Sequence, residues 1–175
     1  KNNIAPFNSQ IKVHKNNIFV IDFQNILRCY SIINGEEIWN IKTDNSFVKS
    51  QKKLSLILSD SKVFFNNTLG DISAVDIKNG NLIWQTPTQD SSIFESSFQL
   101  KTSDLISVKD SILFSNNKNE FYSIDVKSGT IIWKQKISSI VRPVVSDNLV
   151  FTVSENGYLI IIENKSGNII RITNI

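Results

Sequence analysis

The chain has 175 residues, 41% of them hydrophobic and 20% charged, a formal net charge of +3 and a single cysteine. This composition excludes a disordered chain and leaves enough apolar surface for a domain-sized core. One cysteine rules out an internal disulfide and leaves the compartment undecided, while no apolar run is long enough to cross a bilayer as a helix. The lysines are scattered along the chain instead of forming a stripe, so the mild basicity carries no nucleic-acid footprint. The chain begins at Lys1, contains no methionine and shows no amino-terminal signal segment, which fits a mature or trimmed piece of a longer product.

In chain order the sequence predicts sixteen short strands and no helix. The runs are rich in β-branched and aromatic residues, alternate with period two, and are separated by Asn, Asp, Ser and Gly turns. The first group has strands near 10–14, 17–22, 26–31 and 36–42. The second has 53–59, 62–66, 71–76 and 82–86. The third has 105–108, 112–114, 120–125 and 130–136, and the fourth 140–146, 148–153, 158–163 and 168–173. A helical apolar stripe is nowhere visible. The expected class is all-β, built from four-stranded antiparallel blades over about 10–42, 53–86, 104–136 and 140–173, in one domain or part-domain over 1–175.

An eleven-residue phrase recurs at the same place in each group. It reads Ala74-x-Asp76-x-x-x-Gly80-x-x-x-Trp84 in the second and Ser123-x-Asp125-x-x-x-Gly129-x-x-x-Trp133 in the third. The first copy is Cys29-x-Ser31-x-x-x-Gly35-x-x-x-Trp39, and the last, decayed, is Ile161-x-Glu163-x-x-x-Gly167-x-x-x-Arg171. The glycines lie 45, 49 and 38 residues apart, the period of a β-propeller blade. All three tryptophans of the chain occupy one station of this phrase. The acid suits the end of a strand, where a short acceptor takes the N–H groups of the coming turn. The glycine suits a turn that needs positive φ. The tryptophan suits a flat face between adjacent blades, with its N–H on a carbonyl.

The phrase is similar to the tryptophan-docking motif of the pyrroloquinoline-quinone-type (PQQ-like) propeller repeats. The match is complete from Ala74 to Trp84, nearly so from Ser123 to Trp133, partial in the first copy, and broken in the last by Arg171. The resemblance covers essentially the whole chain and implies a β-propeller that closes at seven or eight blades. Four blades would then be half of such a ring, completed by further blades or by a second copy. A compact four-bladed closure is the structural alternative. Two branches of the family follow: quinoprotein dehydrogenases, which hold quinone and calcium on the axis, and the non-enzymatic BamB-like lipoproteins of outer-membrane β-barrel assembly.

The residues themselves offer little chemistry. His14 is the only histidine, so no two-histidine metal site can form within the chain. Cys29 takes the small-residue station of the phrase and reads as a buried apolar side chain. Asp22, Asp60, Asp104, Asp110 and Asp147 lie near strand ends or turns without a partner motif. There is no phosphate loop or nucleophile elbow. The sequons at Asn66 and Asn164 read as coincidence in a chain this rich in Asn and Ser. The adjacent cysteines and tryptophan floor that the resemblance implies for a dehydrogenase are missing. No catalytic residue, cofactor or metal is therefore expected. The two longer links between blades carry Phe47, Phe94, Phe98 and Leu100, a candidate rim for a protein partner. The resemblance implies a protein-binding scaffold in the periplasm, lipid-anchored and part of outer-membrane protein assembly, with a dehydrogenase fragment or an extracytoplasmic sensor or adhesion propeller as alternatives.

Overall fold

The structure is a computed structural model that describes residues 5–43, 53–59, 61–88 and 100–175. Two compact units divide it, Lys1–Gln99 and Leu100–Ile175. The first unit holds β1 (Lys12–His14), β2 (Asn17–Ile21), β3 (Ile26–Ser31) and β4 (Glu37–Lys42), then β5 (Leu56–Ser59), β6 (Lys62–Asn66), β7 (Ile72–Asp76) and β8 (Leu82–Thr86). The second holds β9 (Ile106–Val108), β10 (Ser111–Asn116), β11 (Glu120–Asp125) and β12 (Ile131–Gln135), then β13 (Val144–Ser146), β14 (Leu149–Val153), β15 (Tyr158–Glu163) and β16 (Ile169–Asn174). Each quartet is one antiparallel sheet with its strands in sequence order. The protein is all-β, four four-stranded blades of the propeller type, as the period and the phrase require.

Period two decides which side of a blade is core. In β6, Val63 and Phe65 enter a cluster with Phe19, Ile21, Leu27 and Leu56 of the first unit. Phe64, between them, takes the opposite face and meets Trp84 at 5.7 Å between ring centroids. The second unit repeats this plan, with Leu113 and Phe121 of its first blade packed among Val150, Ile160 and Ile162 of its second. Each fully buried Phe or Ile contributes about 1.5–3 kcal/mol over exposure, so the blades are held by side chains from both neighbours within a unit.

Two features of the strand pattern depart from the sequence reading. The innermost strands start later than expected: β1 at Lys12 and β5 at Leu56, and β13 at Val144 in place of 140. Backbone ahead of them bonds elsewhere. Asn8 N–H donates to Ile21 O at 2.7 Å and Leu54 N–H to Asn8 O at 2.7 Å, tying blades one and two. Ser139 N–H donates to Asn116 O at 3.2 Å and Glu155 N–H to Ser138 O at 2.9 Å. Pro143 has no N–H to extend β13 backward, so the link between the third and fourth blades runs from Gln135 to Val144 and is longer than expected.

The other departure is a bulge at one station in every blade. The register between third and fourth strands slips at Cys29/Tyr30, Ala74/Val75, Ser123/Ile124 and Ile161/Ile162. The residue left unpaired is Ile38, Ile83, Ile132 or Ile170, immediately before the tryptophan station, and all four are exposed. A bulge bends the strand and increases its twist, and on an outermost strand it roughens an edge that could otherwise pair indiscriminately.

Candidate functional site: the docking stations and the rims

The recurring phrase builds a turn and a plug. Asp76 Oδ1 accepts the N–H groups of Lys78 at 2.8 Å and Asn79 at 3.2 Å. Asp125 Oδ1 accepts from Lys127 at 3.0 Å, Ser128 at 2.7 Å and the Ser128 hydroxyl at 2.8 Å. The Ser128 N–H and hydroxyl hold the Asp125 carboxyl below its ordinary range. Ser31 supplies a weaker acceptor to Ile33 N–H at 3.2 Å, and Glu163 takes the Ser166 hydroxyl. Four residues on, Gly35, Gly80, Gly129 and Gly167 each donate N–H back to the phrase's acid-position carbonyl with φ of 69°, 73°, 74° and 77°. This left-handed conformation favours glycine.

Two of these glycines face an indole within their own unit. A Cβ at Gly80 would lie 2.6 Å from Cε3 and 2.7 Å from Cδ2 of Trp39. One at Gly167 would lie 2.6 Å from Cγ and 2.7 Å from Cδ2 of Trp133. The fourth strand of one blade thus drives a ring onto the turn of the next. Trp133 also donates its Nε1–H to Asn164 O at 2.7 Å, and Gln135 Nε2 donates to Gly167 O at 2.7 Å. Trp39 departs from expectation: its buried Nε1 has no hydrogen-bond partner among the described residues.

Register explains why the phrase opens on a small residue. Phe19, Cys29 and Trp39 stand opposite one another across β2, β3 and β4, as do Phe64, Ala74 and Trp84 across the second blade. The rings meet over the small side chain, at 5.8 Å for Phe19 and Trp39. In the third blade Leu113 and Ser123 precede Trp133 in the row, and Phe121 supplies the ring at 5.7 Å. In the fourth, the small residue and the tryptophan are lost together: Ile161 stands opposite Arg171. Cys29 is fully buried in this row, and burial pushes its thiol up to about 11, so it is no nucleophile at neutral pH.

A second recurring element escaped the sequence reading. Ser9 Oγ accepts Ile21 N–H at 2.8 Å and Ser103 Oγ accepts Ser115 N–H at 2.9 Å. At the same place Ser55 N–H donates to Asn66 Oδ1 at 2.7 Å, and the Ser139 and Thr152 hydroxyls bond at 2.9 Å. A buried serine therefore knits the innermost segment to the second strand of each blade. The offsets between partners are 12, 12, 11 and 13 residues, too irregular to stand out as a phrase. Asp22, unassigned in the sequence, accepts Gln24 and Ile26 N–H and pairs with Arg28 at 2.9 Å. Arg28 continues to Glu37 at 2.7 Å; burial would raise the Glu37 carboxyl, but its bonds from Arg28 and Asn40 hold it below the usual range.

Of the candidate rim, Phe47, Phe94 and Phe98 lie outside the described residues, and Leu100 is only 8% exposed. Among the described residues no group of three or more His, Cys, Asp or Glu is arranged to hold a metal ion. The resemblance implies an indole platform under a quinone, and here Trp39 and Trp133 lie against glycines while Trp84 is buried against Phe64. These residues do not fit that cofactor.

The family described as outer membrane protein assembly factor BamB matches residues 2–173. The chain belongs to that family. Among solved structures, BamB from Moraxella catarrhalis superposes with a TM-score of 0.77 at 16% identity, over 94% of this chain and 50% of its own. The quinohemoprotein alcohol dehydrogenase from Comamonas testosteroni superposes at 0.78 with 10% identity, over 97% of this chain and 35% of its own. The computationally designed Ika8 protein superposes at 0.67 with 15% identity, over 93% of this chain and 48% of its own. At these identities the likenesses show the fold, and this chain spans half the length of the Moraxella BamB. No curated protein matches it in sequence.

Proposed function

We propose that this member of the BamB family is a non-catalytic, protein-binding scaffold that serves outer-membrane β-barrel assembly from the periplasm, its four blades forming part of a seven- or eight-bladed ring. The observation that carries this reading is the family match over residues 2–173. The blades supply a surface of the right kind. Each outermost strand ends its sheet and carries an exposed bulge isoleucine, Ile38, Ile83, Ile132 or Ile170, and a free strand edge can take up an extended segment by β-augmentation. The links bearing Phe47, Phe94 and Phe98 would add apolar contacts at the rim.

The test is capture. With a photo-crosslinking residue at Ile83 or Ile132 in the native cell, the expected products are components of the outer-membrane assembly machinery. Crosslinks confined to unrelated proteins would overturn the reading. The enzymatic alternative rests on the dehydrogenase fold likeness. It is met by adding quinone and calcium with alcohols or sugars and a reducible dye. No reduction is expected, and turnover would replace the scaffold reading.

A further inference from the structure

Three Asn-Gly pairs occur in the chain: Asn34-Gly35, Asn79-Gly80 and Asn156-Gly157. A glycine after asparagine presents a backbone nitrogen unshielded by a side chain, and that nitrogen can attack the neighbouring carboxamide carbon. All three asparagines are exposed and lie in turns, and the three glycines have φ of 69°, 73° and 81°. The glycine nitrogens do not separate the sites either. They donate to Ser31 O at 2.9 Å, Asp76 O at 2.9 Å and Ser154 O at 3.0 Å. What separates them is how the carboxamide is held.

The carboxamide must rotate to bring its Cγ onto the glycine nitrogen, and at two sites it is tied. Asn34 Oδ1 accepts Glu36 N–H at 3.1 Å, and Asn34 Nδ2 donates to Glu36 Oε2 at 2.8 Å. Asn79 Oδ1 accepts Asn81 N–H at 2.9 Å. Both oxygens use the N–H two residues on, which is the Asx-turn bond. At the third site that donor is Tyr158 N–H, and Ser154 Oγ takes it at 3.1 Å. The Asn156 carboxamide is left without a hydrogen-bond partner among the described residues.

We propose that Asn156 is a deamidation site, the fastest of the three in the folded chain. The Gly157 nitrogen loses its proton and bonds to Asn156 Cγ, the carboxamide nitrogen leaves as ammonia, and a cyclic succinimide results. Water then opens either ring carbonyl to give aspartate or isoaspartate, with no change of oxidation state. Both products place a new negative charge beside Glu155, whose N–H donates to Ser138 O at 2.9 Å in the link between the third and fourth blades. The isoaspartate form also reroutes the backbone through the former side chain, in a turn whose Gly157 O accepts Ile175 N–H at 3.0 Å.

The experiment incubates the full 175-residue chain at mildly alkaline pH in heavy-oxygen water, folded and in urea, and follows each Asn-Gly pair by peptide mass mapping. In the folded chain Asn156 should convert roughly three- to tenfold faster than Asn34 or Asn79, the factor set by one hydrogen bond that must break first. In urea the three rates should converge. Asn156→Gln, whose longer side chain closes the ring far less readily, should remove the fast signal and leave the circular dichroism unchanged. Conversion at Asn34 or Asn79 as fast as at Asn156 in the folded chain would overturn the proposal, as would an inert Asn156. A spread of rates that persists in urea would also overturn it, since local sequence and not the fold would then set the order.

Discussion

Trp39 and Trp133 press on the glycine of the next blade at the same 2.6 Å from the missing Cβ, yet they differ at the indole nitrogen. Trp133 reaches a carbonyl and is seconded by Gln135. Trp39 leaves its N–H without a partner among the described residues. What the two stations share is shape: a flat ring, a glycine without Cβ, and a phenylalanine behind the ring. The hydrogen bond is an addition that one station has and the other lacks. Docking between blades in each unit is therefore a packing contact first, with polar fixation as a secondary gain.

The largest effects separate the two stations. Trp133→Ala should cost about 3–5 kcal/mol, the usual range for emptying a buried aromatic site. Trp39→Ala should cost about 1 kcal/mol less, because no hydrogen bond is lost. Urea midpoints of the two variants check the order, and equal losses would mean that the Trp133 bond is energetically silent. A smaller effect concerns the turn. The Asp125 carboxyl is held below its unfolded value by the Ser128 N–H and hydroxyl. Its contribution is present above the unfolded value near 3.9 and is lost as pH falls through the folded one. Asp125→Asn should flatten the acid limb of stability below about pH 4, while changing the neutral midpoint less than either tryptophan truncation. The smallest effect sits in the ring row. Ser123 is fully buried and its hydroxyl has no partner among the described residues. Ser123→Ala, which copies Ala74, should stabilise by roughly 0.5–1 kcal/mol; a loss of stability would reveal an acceptor for that hydroxyl.

Much of this was legible because one phrase packs three requirements into eleven residues. The acid before the turn, the positive-φ glycine and the ring each have a distinct residue signature, and repetition multiplies the signal. The row logic was half visible. Cys29 read correctly as a buried small residue, but that Phe19 stands behind it depends on register, which no single strand announces. The bulge isoleucines were invisible for the same reason: Ile38, Ile83, Ile132 and Ile170 look like ordinary strand residues until the pairing slips beside them. The inner serines were missed because Ser9 and Ser139 lie in segments whose backbone bonds at irregular offsets, outside any regular strand. The late start of β13 turns on one missing donor, at Pro143. For the rim, Leu100 is buried and its aromatic companions lie outside the described residues.

Glycine substitution at three stations tests the docking account most directly. Gly35, Gly80 and Gly167 share the same left-handed φ, so alanine at each incurs the same strain of about 1 kcal/mol or somewhat more. Only at Gly80 and Gly167 does the new methyl also strike an indole, adding roughly 1–3 kcal/mol of overpacking. Measured by urea unfolding, Gly80→Ala and Gly167→Ala should each lose at least twice the stability that Gly35→Ala loses. Equal losses at all three positions would contradict the claim that indoles seated on glycine join neighbouring blades.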